Sequence, residues 1–101
     1  MKPIVCESLQ EVRAHIDRID HEMVALIAER GRFVKQAARF KKTSDDVKAP
    51  QRVEQVVVKV RTLAEEFGAD ASIVERVWRA LIAGFIEVEL VEHTTLGEAP
   101  K

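Results

Sequence analysis

Apolar residues recur along the first forty positions in two interleaved rows. Leu9, Ile16 and Met23 fall seven apart, and Ala37 continues that row; Val12, Ile19, Leu26, Phe33 and Phe40 form the second row, unbroken. Spacing of this kind lines one face of a helix. Ser8 with Glu11 three residues on reads as a capping box, so the pattern predicts a helix from about Ser8 to about Lys42. Gly31 weakens it by roughly 1 kcal/mol relative to alanine. Arg30 takes the place in the first row where an apolar residue is due. Burying a guanidinium without an anion costs several kcal/mol, so the stripe calls for a negative partner at that point.

Two further stripes follow a polar loop, TSDDVKA. Pro50 suits the first turn of a second helix, whose apolar face is Val53, Val56, Val57, Val60, Leu63, Ala64 and Phe67. QVVVKV favours a strand by propensity, but the spacing on both sides is helical, and helix is the reading adopted. Gly68 ends this helix and Asp70 caps a third. The third stripe runs Ile73, Val74, Val77, Trp78, Leu81, Ile82, Phe85 and then Glu89. HTTLGEAPK reads as a mobile tail. The expected fold is all-α, one domain over 1–101 with one long and two shorter helices, a core at 8–92 and a tail at 93–101.

The long helix changes the picture of assembly. From residue 9 to residue 42 it is about 50 Å long at 1.5 Å per residue. A compact domain of this size has a radius of gyration of only ~13 Å. Two shorter helices cannot cover so long a stripe, which predicts an obligate helical homodimer.

Composition excludes several classes. With 47% hydrophobic and 33% charged residues, 101 residues suit one soluble globular domain. A net charge of −1 gives no general affinity for nucleic acid or anionic membrane. No segment approaches the ~20 apolar residues of a membrane span. MKPIVCESLQ lacks the apolar run of a signal peptide, so a cytoplasmic protein is expected. Cys6 is the sole cysteine, which excludes an intrachain disulfide and a multi-thiolate metal site. His15, His21 and His93 have no partner at metal-ligand spacing; Asp17 and His21 share a solvated face.

The charges beside the stripes have a geometry of their own. On a continuous helix Arg30 and Lys41 are about 20° apart in azimuth and about 16 Å apart along the axis, able to close on the two ends of a small anion. Arg13 is about 25 Å from Arg30 and turned by about 100°, so it cannot reach the same ligand from the same helix. In an antiparallel dimer it could complete the partner's site. Arg52 flanks the second stripe and Glu89 lies on the third. Taken singly, Arg13 and Arg52 also fit solvated flank positions, Lys41 a helix-end lysine, and Glu89 a fraying helix-end carboxylate. Arg30 equally fits an internal salt bridge with Glu89 or Glu54.

VRAHIDRIDHEMVALIAERGRFVKQAARFK resembles the first helix of the all-helical chorismate mutases, with Arg13, Arg30 and Lys41 at that family's spacing. The likeness spans roughly residues 8–92. FVKQAARFK, APQRV and LAEEFGAD resemble the isochorismate pyruvate lyase branch, which serves salicylate synthesis, more than the mutases of aromatic amino acid synthesis. The resemblance implies an intertwined dimer of three-helix chains with two sites, each borrowing the first-helix arginine of the other subunit. It implies a dicarboxylate substrate and no metal or cofactor. Arg13 from the partner, Arg30 and Arg52 would hold carboxylates, while Lys41 and residue 89 hydrogen-bond the ether oxygen.

Three positions depart from the family pattern. Ala49 and Val53 stand where mutases commonly carry acidic residues for the substrate hydroxyl, which suits isochorismate, whose hydroxyl sits elsewhere on the ring. Glu89 stands where both branches usually have glutamine, so it should act only when protonated. Chorismate mutase is the first reading, isochorismate pyruvate lyase the second, and a non-catalytic helical dimerisation module the rival from another class.

Overall fold

The computed structural model describes residues 4–97, with side chains through residue 94. Its elements are α1 (Leu9–Ala38), α2 (Ser44–Lys48), α3 (Pro50–Phe67) and α4 (Ala71–Gly97). The three expected helices are therefore present, with the third nearly as long as the first, and a short helix stands where TSDDVKA reads as a loop. Among the described residues none is in a strand, and QVVVKV lies inside α3. No helix there is long and apolar enough to cross a membrane. The chain divides into two units, Met1–Arg32 and Phe33–Lys101.

The first unit carries most of α1. Ser8 Oγ accepts from the Glu11 amide at 3.1 Å, half of the predicted capping box. The other half is displaced by one residue, because the Glu11 carboxylate accepts from the Glu7 amide rather than from Ser8. The α1 stripe is left bare: Leu9, Val12, Ile16, Ile19, Met23 and Leu26 are between 39% and 63% exposed.

α1 stops at Ala38, short of the predicted Lys42. Arg39, Phe40 and Lys41 donate in turn to the carbonyls of Gln36, Ala37 and Ala38, three consecutive i→i−3 bonds that tighten the chain out of α geometry. Lys41 therefore lies in a turn, and a helical projection from Arg30 no longer applies to it.

The turn leads into α2, which nucleates on its own cap. Thr43 Oγ1 accepts from the Asp46 amide at 3.1 Å, and Asp46 Oδ2 accepts from the Thr43 and Lys42 amides at 3.1 and 3.0 Å. The Lys42 amide, then the Thr43 amide, hold the Asp46 carboxyl below its ordinary value. This is the T-x-x-D form of the capping box, a signal that TSDDVKA contains.

Val47 is the buried residue of α2, which packs on α4. Ala49 then takes a left-handed conformation (φ 35°, ψ 62°), ending α2 with its amide on Asp45 O and starting α3 with its carbonyl on the Val53 amide.

α3 packs along α4. Their seam holds Val57, Val60 and Ala64 from α3 and Ile82 from α4, with Ala38 and Val47 completing the buried apolar set. These are small and medium side chains, and Phe67, predicted for the α3 stripe, is 82% exposed. Gly68 (φ 74°) closes α3 in the left-handed conformation that glycine adopts without steric cost. Asp70 Oδ1 accepts from the Ser72 and Ile73 amides and caps α4, as its position predicts. α4 runs to Gly97, so the stretch read as a tail from residue 93 begins helical. Residues 98–101 of that tail lie outside the described residues.

An ion network clasps α3 to α4. Arg79 NH1 and NH2 each donate to Glu54 at 3.0 Å, Arg79 Nε donates to Glu75 at 2.7 Å, and Arg61 reaches the other Glu75 oxygen at 2.6 Å. The Arg79 hydrogen bonds hold both carboxyls below their ordinary value of 4.5, with Arg61 adding to the effect on Glu75. A lowered carboxyl stabilises the fold above its unfolded value and loses that contribution as pH falls through the folded one. Arg79→Met should therefore be less stable than the parent near neutrality, with the gap narrowing as pH falls below 4.5 and through the lowered folded values. Denaturant midpoints across that range measure it; a gap independent of pH would remove the network from the stability of the pair.

Candidate active site

Lys41 and Glu89 are the two predicted site residues that the structure brings into contact. Lys41 Nζ donates to both carboxylate oxygens, at 2.6 Å to Oε1 and 2.9 Å to Oε2. Glu89 is the buried polar residue among those described, at 3% exposure, while the Lys41 side chain keeps 27%. Glu89 sits on the α4 stripe below Phe85, so the apolar periodicity that forms the helix also carries its carboxylate inward. The bidentate contact satisfies it there. A carboxylate at this depth without a cation would face a large desolvation penalty.

A third residue joins them that the sequence reading had set aside. His93 Nε2 lies 2.9 Å from the Lys41 carbonyl oxygen. A carbonyl only accepts, so Nε2 carries the proton and donates. The signal was its place on α4: His93 follows Glu89 by four residues and shares its face. It was missed because the histidines were tested only for metal-ligand spacing. Among the described residues no group of three or more histidine, cysteine, aspartate or glutamate side chains forms a metal site.

The arginines are distributed over two elements. Arg13 is exposed and Arg30 half-buried on α1, seventeen residues apart, which is about 25 Å of helix. Arg52 is exposed in the first turn of α3, three residues after Ala49. Within the second unit Glu89 pairs with Lys41 and Glu54 with Arg79. Among the described residues the second unit thus offers a buried carboxylate, an ammonium held against it by a four-carbon stem, and an exposed guanidinium. Such a set can hydrogen-bond a weakly basic oxygen and attract carboxylates.

The two halves of the ion pair differ in what their loss exposes. Lys41→Met leaves a buried charge unpaired, costing about 3 kcal/mol, the scale of a broken buried pair. Glu89→Gln leaves a partly hydrated ammonium and should cost less than half of that. Chemical denaturation of the two variants measures the asymmetry; equal losses would show that the carboxylate is not effectively desolvated.

Comparison with known proteins gives these residues a context. The family model described as chorismate mutase type II matches residues 12–90. An isochorismate pyruvate lyase from Pseudomonas aeruginosa is 35% identical over 88 residues, covering 87% of this chain and 87% of its own. A chorismate mutase from Methanocaldococcus jannaschii is 32% identical over 77 residues, covering 75% of this chain and 78% of its own.

Proposed function

The chain belongs to the type II chorismate mutase family of enzymes, and from that membership we propose that it rearranges chorismate to prephenate at Lys41 and Glu89. The observation that carries the assignment of the site is the buried Lys41–Glu89 pair. Arg30, Arg52 and the partner's copy of the α1 position Arg13 bind the two carboxylates. Lys41 donates to the ether oxygen, on which negative charge grows as the C–O bond breaks, and a preplaced ammonium acts most strongly there. The arginines fold a flexible dianion into a reactive chair, a contribution of position rather than of covalent chemistry. Neither metal nor cofactor takes part.

A homodimer completes this reading. Its support is the bare α1 stripe, a row of large apolar side chains whose burial needs another surface. The proposed occupant is a second α1, with the enzyme acting in the cytoplasm. Arg13→Ala and Arg52→Ala alter exposed side chains and should each leave the fold intact while greatly weakening turnover. Heterodimers of the two should recover one working site of two, since one site collects both defects and the other neither. Reconstituted heterodimers without activity would show that Arg13 does not cross.

A second reading has its own support. Ala49 and Val53 replace acidic side chains near Arg52, and one relative is an isochorismate pyruvate lyase. On that reading isochorismate is converted to salicylate and pyruvate at the same residues. Incubating the purified protein separately with chorismate and isochorismate, and identifying prephenate, salicylate and pyruvate, decides between them. No turnover of either, with no thermal shift from a bicyclic transition-state mimic, would leave a dimerisation module.

Glu89 has a test of its own. As a carboxylate it cannot donate to the ether oxygen and repels the charge that develops there. Glutamine has nearly the same shape and donates at any pH, so Glu89→Gln should keep or raise kcat, while Glu89→Leu, which carries no donor, should lower it. Equal kcat for the two variants would take Glu89 out of the reaction.

A further inference from the structure

α4 holds Lys41 at two places. One turn carries Glu89, whose carboxylate takes the ammonium; the next carries His93, whose Nε2–H takes the main-chain carbonyl. Between them these two side chains tie down both ends of a residue that no helix supports. Lys41 lies beyond the last residue of α1 and before the Thr43 cap of α2. Its own amide is engaged by Ala38 O at 3.3 Å. The carbonyl is directed at His93, which is half-buried.

We propose that His93 is a positioning residue for Lys41: by holding the Lys41 carbonyl it fixes the α1–α2 turn, so that the ammonium is presented at Glu89 in one orientation. This rests on the reading of Lys41 as the donor to the reacting oxygen. A lysine has a long stem with many rotamers, and directing its head group costs conformational entropy. Anchoring the main chain at the base of the stem removes part of that freedom before substrate arrives. Glu89 alone cannot do this. Its contact is to the head group, which must turn towards the ether oxygen when substrate binds. The His93 contact is to the backbone and persists when the head group turns.

The nitrogen that matters can be tested by shape. Glutamine places its amide nitrogen where Nε2 lies, asparagine where Nδ1 lies, and leucine places no donor at all. His93→Leu and His93→Asn should lower kcat about tenfold or more through misplacement of Lys41, with KM changed much less, because the arginines that bind substrate are untouched. His93→Gln should restore most of kcat. Amide hydrogen exchange over residues 39–43 should rise in the leucine and asparagine variants and stay near the parent level in the glutamine variant, a readout independent of substrate. Equal behaviour of all three variants, in rate and in exchange, would overturn the proposal. Lys41→Met, assayed alongside, separates the premise from the inference. If it keeps full turnover, the reading of Lys41 as donor falls and the proposal with it. If it is inactive while His93→Leu matches the parent, the positioning role alone is wrong.

Discussion

A carboxylate at 3% exposure is tolerable only with a cation against it, and much of the second unit is arranged to supply one. Glu89 comes inward because α4 is amphipathic and position 89 falls on its apolar face. The cation must then arrive from elsewhere in the chain, and it arrives from a turn rather than a helix. α1 ends at Ala38, four residues before the predicted Lys42, through successive i→i−3 bonds. α2 begins at once on its own capping box and docks Val47 on α4. The turn is thereby pinned on both sides, and Lys41 meets Glu89 across a separation of 48 residues.

The rest of the buried set is thin. Ala38, Val47, Val57, Val60, Ala64 and Ile82 are small or medium; Trp78 and Phe85 are half-buried, and Phe33, Phe40 and Phe67 lie exposed. The α3–α4 pair is reinforced at its surface by the Arg79 network, whose contribution depends on ionised carboxylates. A chain with so much apolar surface and so modest an interior is suited to burying its long helix against a second surface. The proposed roles of Arg13 and Arg30 make the same demand, since the two are too far apart along one helix to hold one small molecule.

Substrate choice turns on what surrounds this pair. The ether oxygen is common to chorismate and isochorismate, and so are the two carboxylates; the ring hydroxyl differs in position. Ala49 and Val53 are uncharged, and the first turn of α3 carries no acidic residue. At Ala49, in left-handed backbone, one residue serves as the end of α2 and the start of α3. On the proposed reading the residues that act on the ether serve either isomer, and the choice between them lies with the surroundings of the ring hydroxyl.

Periodicity and caps by themselves determined the three main helices, the Gly68 stop, the Asp70 start, and the place of Glu89 on the third stripe. These are local: hydrogen bonds and side-chain spacing within a few residues decide them, so they are written in adjacent letters. The spacing of Arg13, Arg30 and Lys41 also sufficed to point to the family. The end of α1 was decided otherwise. The apolar row continues through Phe40 and by pattern alone the helix should too, but a capped α2 docking on α4 draws the chain out of helical geometry after Ala38. The same change moved Lys41 from a helix face to a turn and brought its carbonyl to His93. Both contacts of Lys41 span about fifty residues of sequence, and no periodicity within one helix encodes which turn a second helix will face. Pairing across elements is a property of packing, and only the tertiary structure decided it.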